Sequence, residues 1–478
     1  MNKIIYYFLF TLFAATVFIS CDSDSVTPEK GIDENNNGFE TLDLAKIFAD
    51  NCSTSGCHSA ENPANGFSTA TYTQLMKGST NRSGGLIPNY GGEDVIPLQE
   101  GKSLLYQIIT GNVTPQSPHD LITLSDKEKD TIRDWIREGA KDNKGNLPFQ
   151  NPSYRVYICN QVSDKVSVVD GDSKVVTALL DVDFLIDIAD KPHMVKERDG
   201  FLYVTLITTG KFLKFSTTDY KLVGDIGNIL KAGMIQITPD GNKAFVSRSS
   251  TSDPVFNSIF AIDIKNMTVI KEILLPAPGV PHGLALTPDG STLYVANLSL
   301  DRISIVDAVN NEFVEDISFP VGTQPMQTTV SPDGKYLYVS AKGTGNLIVI
   351  DTGTKTIVAQ VNIGPGPMHI SVKSDGSKIY VPSMMGNYVA VVEKNGTTWT
   401  KTKQITHPGI HLPHGSDLTA DDKYLYISSR NNDGGFTPEF TVTGEGPPGT
   451  LCIINTQTDE VIKLIELEEF SAGLTIGN

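Results

Sequence analysis

The feature that most constrains the fold is a turn, usually Asp-Gly, that precedes a β-rich run and recurs from about residue 150 onward. Successive turn aspartates lie 41, 49, 44, 42 and 46 residues apart. Glycine tolerates positive φ, which suits such a dipeptide to a hairpin turn. A period in the forties with about four strands per unit indicates a β-propeller. The turn residues are Asp199, Asp240, Asp289, Asp333, Asp375 and Asp421.

A seventh unit is split between the two ends of this region. Residues 154–159 and 165–170 read as middle strands without an inner strand before them. Residues 473–476 read as an inner strand without followers. Joining them would close a seven-bladed ring over residues 150–478 and remove an exposed sheet edge. The tandem units resemble YVTN-type, surface-layer-like propellers, a fold that hosts many activities.

Residues 52–58 read Cys-Ser-Thr-Ser-Gly-Cys-His. Two thiols can add to the vinyl groups of a haem, and the histidine that follows can ligate its iron. The usual spacing is Cys-x-x-Cys-His, whereas four residues separate Cys52 from Cys57 here. In an exported protein the same two cysteines could form a disulfide instead, which would leave His58 as a surface residue.

Helical patterns flank this motif. Apolar residues spaced through 42–48 predict a short helix that leads into Cys52. Ser125 and Glu128 form a capping box, which predicts the start of a second helix with an apolar stripe at Ile132, Trp135 and Ile136. Two helices around a loop that carries the motif are the order expected of a small cytochrome c.

The resemblance extends beyond the motif. Leu-Met-Lys-Gly at 75–78, the Ser-Leu-Leu-Tyr segment within 101–111 and Trp-Ile-Arg-Glu-Gly-Ala at 135–140 are similar to the cytochrome c-like domains often called planctomycete-type. The resemblance implies a small all-α domain over residues 41–145. It also implies haem c bound covalently to Cys52 and Cys57, with His58 as the proximal iron ligand.

The sixth iron ligand is left open by the sequence. The family usually places Met-Pro just before the last helix, but Ser117 precedes Pro118 here. His119 could complete a bis-histidine site, whose potential would be lower than that of His/Met ligation. Met76 is the other candidate ligand, and an open sixth position is the third alternative.

The propeller region holds six histidines, and all of them precede or open a predicted innermost strand. These positions are expected to ring one mouth of the central channel, and two methionines occupy the same place in their blades. Imidazole and thioether ligands suit copper or a second haem-type centre. The alternative is that they only pack a crowded axis, or bind a small anion. The candidate ligands are His193, His282, Met326, Met368, His369, His411 and His414, and His407 is the sixth histidine.

The N-terminus predicts export. An almost wholly apolar run over residues 4–19 is typical of a secretory signal. Phe-Ile-Ser-Cys at 18–21 resembles a bacterial lipobox, which would place a lipid on Cys21 and anchor the protein to a bacterial membrane, facing the periplasm or the cell surface. We therefore expect a signal peptide over residues 1–20 and a flexible tether over residues 21–40.

The charge balance limits the partners. The chain has 38 basic and 55 acidic residues, a net charge of −17, which argues against nucleic-acid binding and is compatible with a basic redox partner. We expect an electron-transfer haem protein whose propeller docks a partner or binds a small-molecule substrate. The alternatives are an oxidoreductase centred on the His/Met ring, a lactonase-like propeller, and a non-catalytic binding propeller with a vestigial small domain.

Overall fold

The computed structural model describes residues 38–40, 42–79, 94–185, 187–249 and 256–477. The predicted signal peptide, Cys21 and nearly all of the predicted tether lie outside these residues. Within the described part of the chain, none of the helices combines the length and the apolar character that crossing a membrane requires.

Short helices form the N-terminal part of the structure. They pack around a hydrophobic core of their own, in which Phe39 stacks on Phe48 and meets the edge of Trp135. The α-helices are α1 (Leu44–Asn51), α2 (Tyr72–Met76), α3 (Leu104–Ile109) and α4 (Asp126–Arg137), and single 3₁₀ turns lie at Ala64–Gly66, Glu100–Lys102 and His119–Leu121.

The predicted capping box at the start of α4 is confirmed. The Ser125 hydroxyl accepts a hydrogen bond from the Glu128 backbone N–H at 3.3 Å, and the Glu128 carboxylate accepts one from the Ser125 N–H at 2.7 Å. Two of the N–H groups that a helix start leaves unpaired are thereby satisfied. The apolar stripe of α4, Ile132, Trp135 and Ile136, is buried against the rest of the helical part.

Seven four-stranded antiparallel sheets form a β-propeller, as predicted. Blade 1 combines Ser471–Gly477 with Arg155–Asn160, Lys165–Asp170 and Val175–Asp181. From inner to outer strand, blade 2 contains Pro192–Arg198, Phe201–Leu206, Lys211–Ser216 and Leu222–Ile226, and blade 3 contains Ala232–Ile237, Lys243–Arg248, Phe256–Asp263 and Thr268–Gly279.

The remaining blades follow the same order along the chain. Blade 4 contains Pro281–Leu286, Thr292–Asn297, Arg302–Asp307 and Glu312–Ser318, and blade 5 contains Pro325–Val330, Tyr336–Ala341, Asn346–Asp351 and Thr356–Asn362. Blade 6 contains Ser371–Val372, Lys378–Ser383, Tyr388–Asn395 and Thr398–Ile405, with a 3₁₀ turn at Met384–Gly386, and blade 7 contains Pro413–Leu418, Tyr424–Ser429, Pro448–Asn455 and Glu460–Glu469.

Hydrogen bonds within the repeated turn explain why aspartate recurs there. The Asp240 carboxylate accepts hydrogen bonds from the Thr238 hydroxyl at 2.6 Å and from the Asn242 N–H at 3.1 Å, and these bonds lower the Asp240 pKa to about 2. Gly241 follows with a φ of 70°, a conformation that favours glycine. The same hydroxyl–carboxylate pair recurs at Thr287 and Asp289. This hydroxyl–carboxylate turn therefore precedes the second strand in blades 3, 4, 5 and 7.

The two ends of the propeller region close the ring, which confirms the predicted split unit. Val156 is paired with Ile476, and Ile158 with Leu474. The Ser471 hydroxyl also donates to Asn160 Oδ1 at 2.9 Å. Main-chain pairing in blade 1 thus depends on residues more than 300 positions apart in the chain.

A long insertion in blade 7 joins the propeller to the helical part. Its short strand Thr441–Val442 pairs antiparallel with Val113–Thr114 of the helical part. Lys102 forms ion pairs with Glu445 at 2.6 Å and with Glu468 at 3.1 Å. The helical part and the propeller are therefore connected by strand pairing and ion pairs.

Removing core contacts from the closing strand should destabilise the whole ring. Leu474→Ala is expected to reduce the free energy of unfolding by about 2–5 kcal/mol, because it leaves a cavity at a side chain that is 1% exposed. Val321→Ala, at a site 98% exposed, should leave it unchanged. Urea denaturation of both variants measures the difference, and equal midpoints would contradict the role of the closing strand.

Candidate functional site

The turn after α1 holds the two cysteines of the motif. Cys57 N–H donates to the Thr54 carbonyl at 3.0 Å, and His58 N–H donates to the Cys52 carbonyl at 3.0 Å. Gly56 has a φ of 84° within this turn. Cys52 is buried and Cys57 exposed, and both thiols are free, so the alternative disulfide is not formed. Burial raises the pKa of Cys52 to about 11.

His58 is oriented by the main chain. Its Nδ1 lies 2.9 Å from the Phe67 carbonyl oxygen, which can only accept a hydrogen bond. This contact places the ring proton on Nδ1 and leaves Nε2 with its lone pair free, as a metal-ligating imidazole requires. Burial lowers the pKa of His58, which favours the neutral ring near pH 7.

His119 lies opposite His58. The two rings are parallel to within 1°, with their centres 5.9 Å apart. Burial and the proximity of His58 lower the pKa of His119, and its Nδ1 is buried without a hydrogen-bond partner. Met76 packs in the helical core instead and does not line the cleft between the two imidazoles. Of the two predicted candidates, the structure brings His119 to His58.

Apolar side chains line this cleft. Leu104, Leu105, Ile108 and Ile122 come from the helical part. Phe440 comes from the blade 7 insertion, and its ring centre lies 5.4 Å from that of His119. No local pattern assigned Phe440 to this cleft, because it lies 321 positions after His119 in the chain.

One buried carboxyl group lines the cleft and a second lies near the first, and neither was predicted. Asp94 lines it and accepts hydrogen bonds from the N–H and hydroxyl of Ser79, both at 2.9 Å. Burial nevertheless raises the pKa of Asp94 to about 7. Burial and the proximity of Asp94 raise the pKa of Glu466 from blade 7.

Four of the six propeller histidines meet at the channel. The ring centre of His193 lies 5.6 Å from that of His282 and 6.0 Å from that of His414, and His369 lies 5.1 Å from His414. We call these four residues the channel imidazoles. Each is at most 7% exposed. Burial is the main cause that lowers their pKa values, to about 4 for His282 and about 3 for His369.

The other predicted ring members have different surroundings. His411 Nε2 lies 2.6 Å from the Asp433 carboxylate, and His407 Nδ1 accepts a hydrogen bond from the Gly409 N–H at 3.1 Å. Met326 and Met368 are buried.

The His/Met ring is not a compact ligand cluster. In the described ranges, one set of three or more His, Cys, Asp or Glu residues has all its ligand atoms within 4.8 Å of one another. It consists of Asp164, Asp183 and Asp190. Metal binding by the His/Met ring stays a prediction.

The central channel also contains a polar cavity of about 280 Å³. Its polar lining includes Lys196, Gln236, Gln327, Thr329, Ser416 and Asp417. Asp417 accepts a hydrogen bond from the Ile476 N–H at 3.1 Å, and burial raises its pKa. All of them except Gln236 follow the Pro-His or Pro-Met positions along the inner strands, but no local motif distinguished them.

Comparison with known proteins supports the propeller. A family model described as "Lactonase, 7-bladed beta-propeller" matches residues 321–440. The chain carries a seven-bladed propeller. No curated protein matches the chain.

Solved structures also support the propeller fold. Hydrazine synthase of Kuenenia stuttgartiensis aligns with a TM-score of 0.52 at 17% identity, over 63% of this chain and 91% of that one. A functionally unknown protein from Desulfotomaculum acetoxidans aligns with a TM-score of 0.55 at 16% identity, over 68% of this chain and 99% of that one. A Lactobacillus plantarum protein aligns with a TM-score of 0.54 at 15% identity, with the same coverage. At these identities the likeness concerns the fold alone.

Proposed function

We propose that this protein is an exported, membrane-anchored c-type haem protein that transfers electrons, with its propeller as a docking or substrate-binding domain. The observation that carries the proposal is the pair of parallel imidazoles, His58 and His119, next to the free thiols of Cys52 and Cys57. In this proposal residues 41–145 are a cytochrome c-like domain, and the propeller is of the YVTN type.

The distance between the two rings fits one metal ion between them. A metal–imidazole bond is about 2 Å long, so two imidazoles that would share one metal ion have ring centres up to roughly 6 Å apart. The separation of 5.9 Å between His58 and His119 agrees with this value. The apolar cleft and the two adjacent thiols match the other needs of a covalently bound haem.

Each residue has a defined part in holding the group. Cys52 and Cys57 would form the thioether links, and His58 and His119 would ligate the iron. The bound haem would supply reversible one-electron transfer at a potential set by its ligands and surroundings. Because burial keeps both imidazoles neutral, neither has to lose a proton before it ligates a metal.

The propeller insertion forms one wall of this cleft. Phe440 packs against His119, and Asn65 donates a hydrogen bond to Glu439 at 2.7 Å. Cys57 is exposed on the other side of the motif, so we propose that a redox partner approaches there. The net charge of −17 would attract a basic partner, and lipid on Cys21 would hold the protein at the membrane.

Haem attachment and ligation are tested on protein from a host that matures c-type cytochromes. We expect one covalent haem in a pyridine haemochrome assay and a six-coordinate, low-spin visible spectrum. His119→Ala should retain the haem but become high-spin, whereas Met76→Leu and His407→Ala should keep the low-spin spectrum. Absence of covalent haem would refute the proposal, and a low-spin His119→Ala spectrum would refute this ligand assignment.

The buried acid beside the cleft should make the potential depend on pH. Asp94, with its pKa raised to about 7, would be protonated below that pH and charged above it. Asp94 would favour its charged form beside an oxidised haem, which carries one more positive charge, and would take up a proton near neutral pH on reduction. The midpoint potential should therefore fall as pH rises through 7, by at most about 59 mV per pH unit.

Potentiometric titration from pH 5 to 9 measures this dependence. Asp94→Asn should flatten the curve between pH 6 and 8, whereas Asp120→Asn, at an exposed site next to His119, should retain the slope. A wild-type potential that is constant across this range would contradict the role of Asp94.

A further inference from the structure

Arg430 is paired through its backbone with Leu412, two residues before His414, and has no acidic partner within the described residues. It follows the second strand of blade 7, and its backbone N–H donates to the Leu412 carbonyl at 3.1 Å. The guanidinium lies 4.6 Å from the centre of the Phe470 ring, and its Nη1 is 3.9 Å from the sulfur of Met384. Its Nε is buried without a hydrogen-bond partner. No carboxylate forms an ion pair with Arg430 in the part of the chain that the structure describes.

The channel imidazoles lie in a positive potential. The charge of Arg430 lowers the pKa of all four. The other fixed charges that act on them are Lys342, near His282, and Lys196, near His369, and both are basic. A cation bound here would be repelled by these groups, whereas an anion would be attracted.

The site also offers unused hydrogen-bond donors. Neither nitrogen of His414 has a partner, so its N–H is unpaired in either tautomer. Gln161 Nε2 lies 2.8 Å from His193 Nδ1. With the amide nitrogen as donor, His193 carries its proton on Nε2, which is also buried without a partner. Together with Arg430 Nε–H, three buried donors lack an acceptor, which is costly unless a ligand supplies one.

We propose that the channel imidazoles and Arg430 bind a small anion, a carboxylate or an inorganic oxyanion. Such an anion would accept hydrogen bonds from the unpaired donors and neutralise the half-buried guanidinium. The ring centres are only 5.1–6.0 Å apart, so the site suits a ligand of a few atoms. This inference concerns the propeller and does not depend on haem in the helical part.

Calorimetric titration of the full-length protein with sodium formate and sodium nitrate at pH 7 tests the anion site. We expect saturable binding of at least one of these anions at one site per chain. Arg430→Gln should weaken it at least tenfold, and His193→Gln should weaken it as well. Arg302→Gln, which removes a propeller arginine paired with Asp316, should leave it unchanged.

Two results would contradict the proposed anion site. One is the absence of saturable binding, or binding that Arg430→Gln leaves unchanged. The other is stoichiometric binding of Cu²⁺ or Zn²⁺ that His414→Gln abolishes, which would assign the cluster to a metal.

A separate observation points to a cation site between blades 1 and 2. Asp164 lies in the first turn of blade 1, and Asp183 and Asp190 lie in the connection to blade 2. One carboxylate oxygen from each lies within 4.8 Å of the others. Asp164 and Asp190 are buried, and Asp190 Oδ1 has no hydrogen-bond partner. None of the three forms an ion pair within the described ranges.

Backbone N–H groups hold these carboxylates in place. The Asp164 carboxylate accepts from the N–H groups of Asp190 and Lys191, both at 2.9 Å. Asp190 Oδ2 accepts from the N–H of Leu185 at 3.0 Å. Clustered carboxylate oxygens on a preformed loop suit a hard divalent cation, which takes oxygen ligands at about 2.3–2.6 Å when it is calcium.

We infer that Ca²⁺ binds to Asp164, Asp183 and Asp190 and fastens the segment that leads to His193. In a thermal melt of the full-length protein, 1 mM CaCl₂ should raise the Tm by several degrees relative to EDTA. Asp190→Asn and Asp183→Asn should abolish the rise, and Asp225→Asn, which removes an exposed carboxylate paired with Lys211, should retain it. No calcium effect on the wild type, or an unchanged rise in Asp190→Asn and Asp183→Asn, would overturn the site.

Discussion

The pairing of Ser471–Gly477 with Arg155–Asn160 is the contact on which the rest of the propeller depends. It converts an open array of sheets into a ring without an exposed inner edge. Only in a closed ring do the first residues of the inner strands face one another across the axis. The convergence of His193, His282 and His414, which come from three different blades, follows from this closure.

The junction between the helical part and the propeller positions the residues of the cleft between His58 and His119, as ring closure positions the channel imidazoles. The strand pair Val113–Thr114 with Thr441–Val442 fixes the blade 7 insertion, and Phe440 is thereby held against His119. The cleft between His58 and His119 is consequently lined by both parts of the chain. In our proposal, the surroundings of a haem held there, and hence its potential, would depend on the propeller as well as on the helices.

The two histidine clusters differ in their electrostatic surroundings. Asp94 lines the cleft that holds His58 and His119 and lies near Glu466 of blade 7, and burial raises the pKa values of both acids. Such groups can compensate positive charge on a metal. Around the channel imidazoles the charged neighbours are basic, with Arg430 common to all four. The same residue type is therefore suited to a metal in one place and to an anion in the other.

The repeating turn, the split seventh blade, the capping box of α4 and the Cys52–His58 motif could all be read from the sequence, because each is encoded by contiguous residues or by a regular period. Only the tertiary structure decided that His119 faces His58, that His411 pairs with Asp433, and that Arg430 and Asp94 lie beside the two clusters. These placements depend on ring closure and on packing between segments far apart in the chain, and no local pattern encodes such distances.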